Sequence, residues 1–141
     1  MDLSDAEFEQ LLALRTGLRR FLRGSEERAR AAGITPAQHQ LLLAVRGSLA
    51  PRGPTIGEIA GYLLLKPHST SELVDRAVSA GLVTRSVDAA NASMVRVVLT
   101  ARGGDMLEKL SSANMQELAE LGPTMRTLWK AIEQFEQLRG S

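Results

Sequence analysis

The runs Leu82–Val87 and Met94–Leu99 are the two stretches of this chain that alternate β-branched residues in the manner of strands. Between them lies Asp88-Ala-Ala-Asn-Ala-Ser93, small and polar, so the pair reads as one hairpin with a flexible tip. A lone two-stranded ribbon is barely stable in water unless it packs on something larger. The rest of the 141 residues shows helical spacing or turn chemistry, so the support must be helices. The fold this dictates is mainly α with a single two-stranded β-wing.

The helices follow from their stripes and their ends. Phe8, Leu11, Leu12, Leu14, Leu18, Phe21 and Leu22 have helical spacing and predict one long helix from about Asp5 to Arg30. Ser4 and Glu7 form a capping box at its start. Gly33 stops it; Thr35 and Pro36 open a second helix to about Arg46, with Leu41, Leu42 and Val45 inward. Residues 47–54 hold two Pro and two Gly and read as a loop. Thr55 and Glu58 cap a short helix through Leu63. Pro67 begins another, running to about Ala80 with Thr70, Leu73, Val74 and Ala77 buried, and Gly81 ends it. After the ribbon, Thr100 caps a long helix from Ala101 to about Leu121, interrupted at Gly122-Pro123 and continued to about Leu138.

Three short helices and a ribbon make a winged helix-turn-helix, in which one helix can enter the major groove of DNA beside the ribbon. The expected layout is a DNA-binding region over 35–103, flanked by helical dimerisation regions over 1–34 and 104–141, all in one continuous domain. Charge agrees with this layout. Residues 36–103 carry seven basic against four acidic side chains, whereas 104–141 carry four against six. Opposite the buried face of the Pro67 helix lie Ser69, Ser71, Glu72, Asp75 and Arg76, with Lys66 and His68 at its N-terminal end. A helix N-terminus aimed at DNA offers free N–H groups, and Ser and His suit that approach. Lys66, His68, Ser69, Ser71, Arg76, Arg85 and Arg96 are therefore the candidate DNA contacts. The plainer alternative is a solvated face, with Arg76 paired to Asp88 on the ribbon.

Other classes of function find little support. Without cysteine there is no disulfide framework, thiolate metal site or cysteine nucleophile. The two His residues, 39 and 68, sit at no diagnostic spacing with a nucleophile, and Gly103-Gly104 opens a helix rather than cradling phosphate. No enzyme activity, metal or cofactor is expected. No apolar run approaches the roughly 20 residues of a membrane span, and the acidic start is unlike a signal peptide, so a cytoplasmic protein is expected. Aromatic content of 4% argues against stacking platforms for single strands.

The segments Thr55-Ile-Gly-Glu-Ile-Ala-Gly-Tyr-Leu-Leu-Leu65, His68-Ser-Thr-Ser-Glu-Leu-Val-Asp-Arg76, Ala80-Gly-Leu-Val-Thr-Arg85 and Val95-Arg-Val-Val-Leu-Thr-Ala-Arg-Gly103 resemble the MarR family of bacterial transcriptional regulators. The resemblance covers about residues 35–104. It implies a homodimer that binds pseudo-palindromic double-stranded DNA, usually represses, and is often released by a small phenolic or other apolar effector. One departure stands out. Wing tips in that family commonly read Asp-x-x-Asp-Arg-Arg, but here Ala92 and Ser93 replace the two arginines. An arginine contact in a narrow minor groove is thus missing. That keeps open a second reading, a winged-helix protein with weakened DNA binding that serves as a ligand-binding or protein-interaction module.

The terminal helices carry Phe8, Leu12, Leu121, Met125, Leu128, Trp129 and Ile132. A three-helix winged core cannot cover them. Burial between two copies of the chain is the simplest remedy, which makes them the candidate dimerisation residues.

Overall fold

The computed structural model describes residues 2–91 and 93–140. Its elements are α1 (Asp5–Ala31), α2 (Pro36–Gly47), α3 (Ile56–Leu63), α4 (Pro67–Ser79), β1 (Val83–Val87), β2 (Val95–Leu99), α5 (Ala101–Ala119) and α6 (Gly122–Gly140). This is the expected winged helix-turn-helix with long flanking helices. Ala92, one of the two tip positions singled out in the sequence, lies outside the described residues.

The helix ends are built as their residues require. Thr35 and Thr55 each accept from the backbone three residues on, while Gln38 and Glu58 reach back to the cap N–H. Ser4 and Glu7 do the same before α1, with the Ser4 N–H donating to Glu7 Oε2 at 2.9 Å. α5 stops at Ala119, two residues before the expected end, and Gly122-Pro123 lies inside the first turn of α6. Proline is tolerated there because a first-turn N–H has no intrahelical partner to lose.

The chain divides into two units, Met1–Glu27 with Ser112–Ser141, and Arg28–Ser111. The second holds the core. Leu41, Leu42, Ile59, Val74, Leu82, Val83 and Val97 are fully buried in it, with Thr70, Leu73 and Ala77 from the inner face of α4. His39 is buried too. Burial first, and the nearby Arg28 guanidinium second, hold its imidazole below the usual histidine range.

The ribbon is antiparallel, with Val83 opposite Leu99 and Val87 opposite Val95. Its second strand is stitched on the far side to the loop before α3. Thr55 pairs with Arg96, and the Val97 N–H donates to the Pro54 carbonyl at 2.9 Å. Where α5 begins, Thr100 Oγ1 accepts from the Gly103 N–H, and the Thr100 N–H donates to the Leu82 carbonyl. Gly103 packs directly on that carbonyl, with no room for a Cβ.

Among the described residues two that are not glycine adopt left-handed backbone, Leu49 and Leu64. For a leucine this costs about 1–2 kcal/mol. Leu64 is the C-cap of α3, in a Leu-Leu-Leu run whose sequence gives no sign of a turn.

In the other unit, Gly17 of α1 lies against Leu121, and Asn114 Nδ2 donates to Ser25 Oγ at 3.3 Å. α6 has no buried residue.

Candidate nucleic-acid interface

α4 is amphipathic by construction. Thr70, Leu73, Val74 and Ala77 recur at helical spacing and anchor one face in the core, leaving His68, Ser69, Glu72, Asp75 and Arg76 exposed. Lys66 is its N-cap, has extended backbone, and makes no side-chain cap hydrogen bond. Pro67 follows at the first helical position, where its fixed φ suits the turn. The start of α4 is therefore an exposed helix N-terminus with a cation beside it, an arrangement that favours anions.

The candidate contacts fall into two groups. Lys66, His68, Ser69 and Arg76 lie exposed on α4. His68 Nε2 stands 3.1 Å from Glu72 Oε1 one turn on, an ion pair only when the imidazole is protonated. Ser71, Arg85 and Arg96 are engaged within the fold. Arg85 on β1 reaches α4, pairing with Asp75 Oδ1 at 2.6 Å and donating to the Ser71 carbonyl and Oγ at 3.4 and 3.3 Å. It thereby ties the wing to the outer face of the helix.

Arg96 is more deeply committed, with its side chain only 21% exposed. Its Nε donates to Asp88 Oδ2 at 2.9 Å and its Nη1 to the Gly53 carbonyl at 3.0 Å. Asp88 also accepts from the Ala90 N–H at 2.8 Å and pairs with Arg52 at 3.5 Å. The partners of Asp88 are thus Arg96 and Arg52, not the Arg76 that its place on the ribbon suggested. The reason is topological, since the loop before α3 folds back along β2. Arg52 was missed in the sequence, where a loop arginine 36 residues away carries no periodic signal.

The Arg96 hydrogen bond and then the Ala90 N–H hold the Asp88 carboxyl below the ordinary aspartate range, against an opposing push from burial. A carboxyl depressed in the folded state stabilises it above the unfolded value, about pH 3.9, and that contribution disappears as pH falls through the folded value. Asp88→Asn is therefore expected to flatten the acid limb of the stability curve below about pH 4. Chemical denaturation at stepped pH measures this; an unchanged acid limb contradicts it.

The candidate dimerisation residues lie in the unit built from both chain ends. Phe8, Leu12, Met125 and Trp129 are 57, 64, 50 and 60% exposed, Ile132 is 37% exposed, and Leu121 and Leu128 are half-buried. Among the described residues no group of three His, Asp or Glu side chains could hold a metal ion, and no helix is long and apolar enough to cross a membrane.

Residues 32–92 match the model of the MarR family. No curated protein matches the chain. Among solved structures, a MarR family transcription regulator is similar at 24% identity, with a TM-score of 0.73 over 97% of this chain and 95% of that one. AbsC, a MarR family transcriptional regulator from Streptomyces coelicolor, is 19% identical with a TM-score of 0.70 over 100% and 99%. A mutant MarR from E. coli complexed with operator DNA is 22% identical with a TM-score of 0.67 over 96% and 99%.

Proposed function

The winged-helix segment of this chain is MarR-type over residues 32–92, and from that premise we propose that the protein is a DNA-binding transcriptional regulator, a repressor that holds pseudo-palindromic operators as a homodimer. The observation that carries this reading is α4. One face is locked into the core, and the other leads with an exposed Lys66 and presents His68, Ser69 and Arg76. The MarR complex with operator DNA, similar in fold, supports it. In this reading Ser69 and His68 face base edges, Lys66 and Arg76 take phosphates, and Arg85, Ser71 and Arg96 position the helix and wing. The protein works in the cytoplasm and is not an enzyme. A small apolar or phenolic effector has room in a cleft of about 490 Å³ lined by Leu43, Arg46, Leu99, Leu107, Glu108 and Ser111.

Selection of duplexes from a random pool at two salt concentrations tests this. Two-fold symmetry separates the recognition helices by one DNA turn, so half-sites should repeat about 10 bp apart, centre to centre. Single asymmetric sites would rule out the dimeric mode. Lys66→Ala should leave the preferred sequence unchanged and lower the salt slope by about one unit, as loss of one phosphate contact does. A changed consensus would instead make Lys66 a reader of bases.

A second reading has its own support. The wing's Arg85 and Arg96 are engaged internally and its tip lacks the usual arginines. A winged-helix module with weakened DNA binding, given over to a ligand or a protein partner, follows if selection enriches nothing at either salt concentration.

A further inference from the structure

Leu64 is the most exposed large hydrophobic side chain among the described residues, at 91%, and its backbone is left-handed, φ 55°. Both conditions disfavour leucine in the free protein, since glycine would relieve the strain and remove the apolar surface. The position is fixed, not frayed. The Leu64 and Leu65 N–H groups both donate to the Ala60 carbonyl, so the side chain is presented at a defined place just before the Lys66 cap of α4. Tyr62, Leu65 and Pro67 are exposed beside it. The approach to α4 is thus an apolar surface with one cation, Lys66, at its end.

The left-handed turn ends α3, as glycine there would at less cost, so an apolar side chain held in water at that place points to a contact made only in a complex. The margin of the DNA major groove offers the matching chemistry, where a thymine C5-methyl group projects close to the phosphate of its own strand. We propose that Leu64 is a specificity-determining residue that packs on a thymine methyl while Lys66 takes the neighbouring phosphate. This rests on the DNA-binding reading above.

The test uses the full chain, Leu64→Gly and Leu64→Met on the duplex selected by the wild type, with each thymine replaced in turn by deoxyuridine, which removes only the methyl. At one position per half-site the wild type should lose about three- to fivefold in affinity, the worth of one buried methyl. Leu64→Gly should bind the thymine and deoxyuridine forms of that position equally and melt at a higher temperature than the wild type. Leu64→Met should keep the thymine preference. The proposal is overturned if wild type and Leu64→Gly respond alike at every thymine, or if Leu64→Gly loses affinity for both forms equally. Leu64 then supports the turn or meets a protein partner. If the wild type selects no duplex, the DNA-binding reading falls and the methyl contact with it.

Discussion

If the protein is the DNA-binding homodimer proposed above, glutamate at both Leu12 and Trp129 is expected to convert it into a folded monomer and to weaken operator binding by about a hundredfold or more. These side chains are 64 and 60% exposed in the isolated chain, so the substitutions cost little within one protomer. Between protomers they would place charges in an apolar interface expected to exceed about 2,000 Å² in total. Affinity falls because two half-sites are then no longer bound as one linked event, and the effective concentration that the dimer supplies is lost. Sedimentation gives the mass, circular dichroism the fold, and fluorescence anisotropy the affinity. A variant that stays dimeric at micromolar concentration would move the interface away from these helices.

Gly103→Ala is expected to destabilise the winged-helix unit by about 2–3 kcal/mol, whereas the same change one residue on should be harmless. A Cβ at Gly103 runs into the Leu82 carbonyl, which is held by the Thr100 N–H at 3.1 Å and belongs to a fully buried residue. Backbone cannot swing aside as a flexible side chain can, so the cost is that of overpacking a closed contact. At Gly104 nothing lies within 4 Å of an added Cβ, and alanine there gains about 0.5–1 kcal/mol in a helix. Urea unfolding of the two variants measures the difference directly. Equal stabilities would show that α5 can slide off the ribbon without penalty.

Periodicity and capping carry most of this fold. The Thr55–Glu58 box, the inward Thr70, Leu73, Val74 and Ala77, and the ribbon each depend on residues within a few positions of one another, which a single sequence exposes. The outer face of α4 was legible for the same reason, as the complement of a buried stripe. Which arginines are spoken for was not. Arg85 meets Asp75 and Ser71, and Arg96 meets Asp88 and Gly53, only because helix, ribbon and loop converge in space. Nothing in Arg, Asp or Gly as residue types announces such a partner. Leu64 was hidden by its own chemistry, since leucine is a good helix former and rarely ends a helix in left-handed backbone.

Surface loops ordinarily absorb insertions and deletions between related proteins, and residues 47–54, rich in Pro and Gly, look like the place for them. Three consecutive residues there are committed to the wing. Arg52 pairs with Asp88, the Gly53 carbonyl takes Arg96, and the Pro54 carbonyl takes the Val97 N–H. A single residue inserted after Pro54 would shift all three out of step with Thr55, which itself pairs with Arg96 on β2. Length variation in this lineage should therefore collect on the other side of the wing, in the tip between Asp88 and Met94, while the Pro-Arg-Gly-Pro segment keeps its spacing to Thr55.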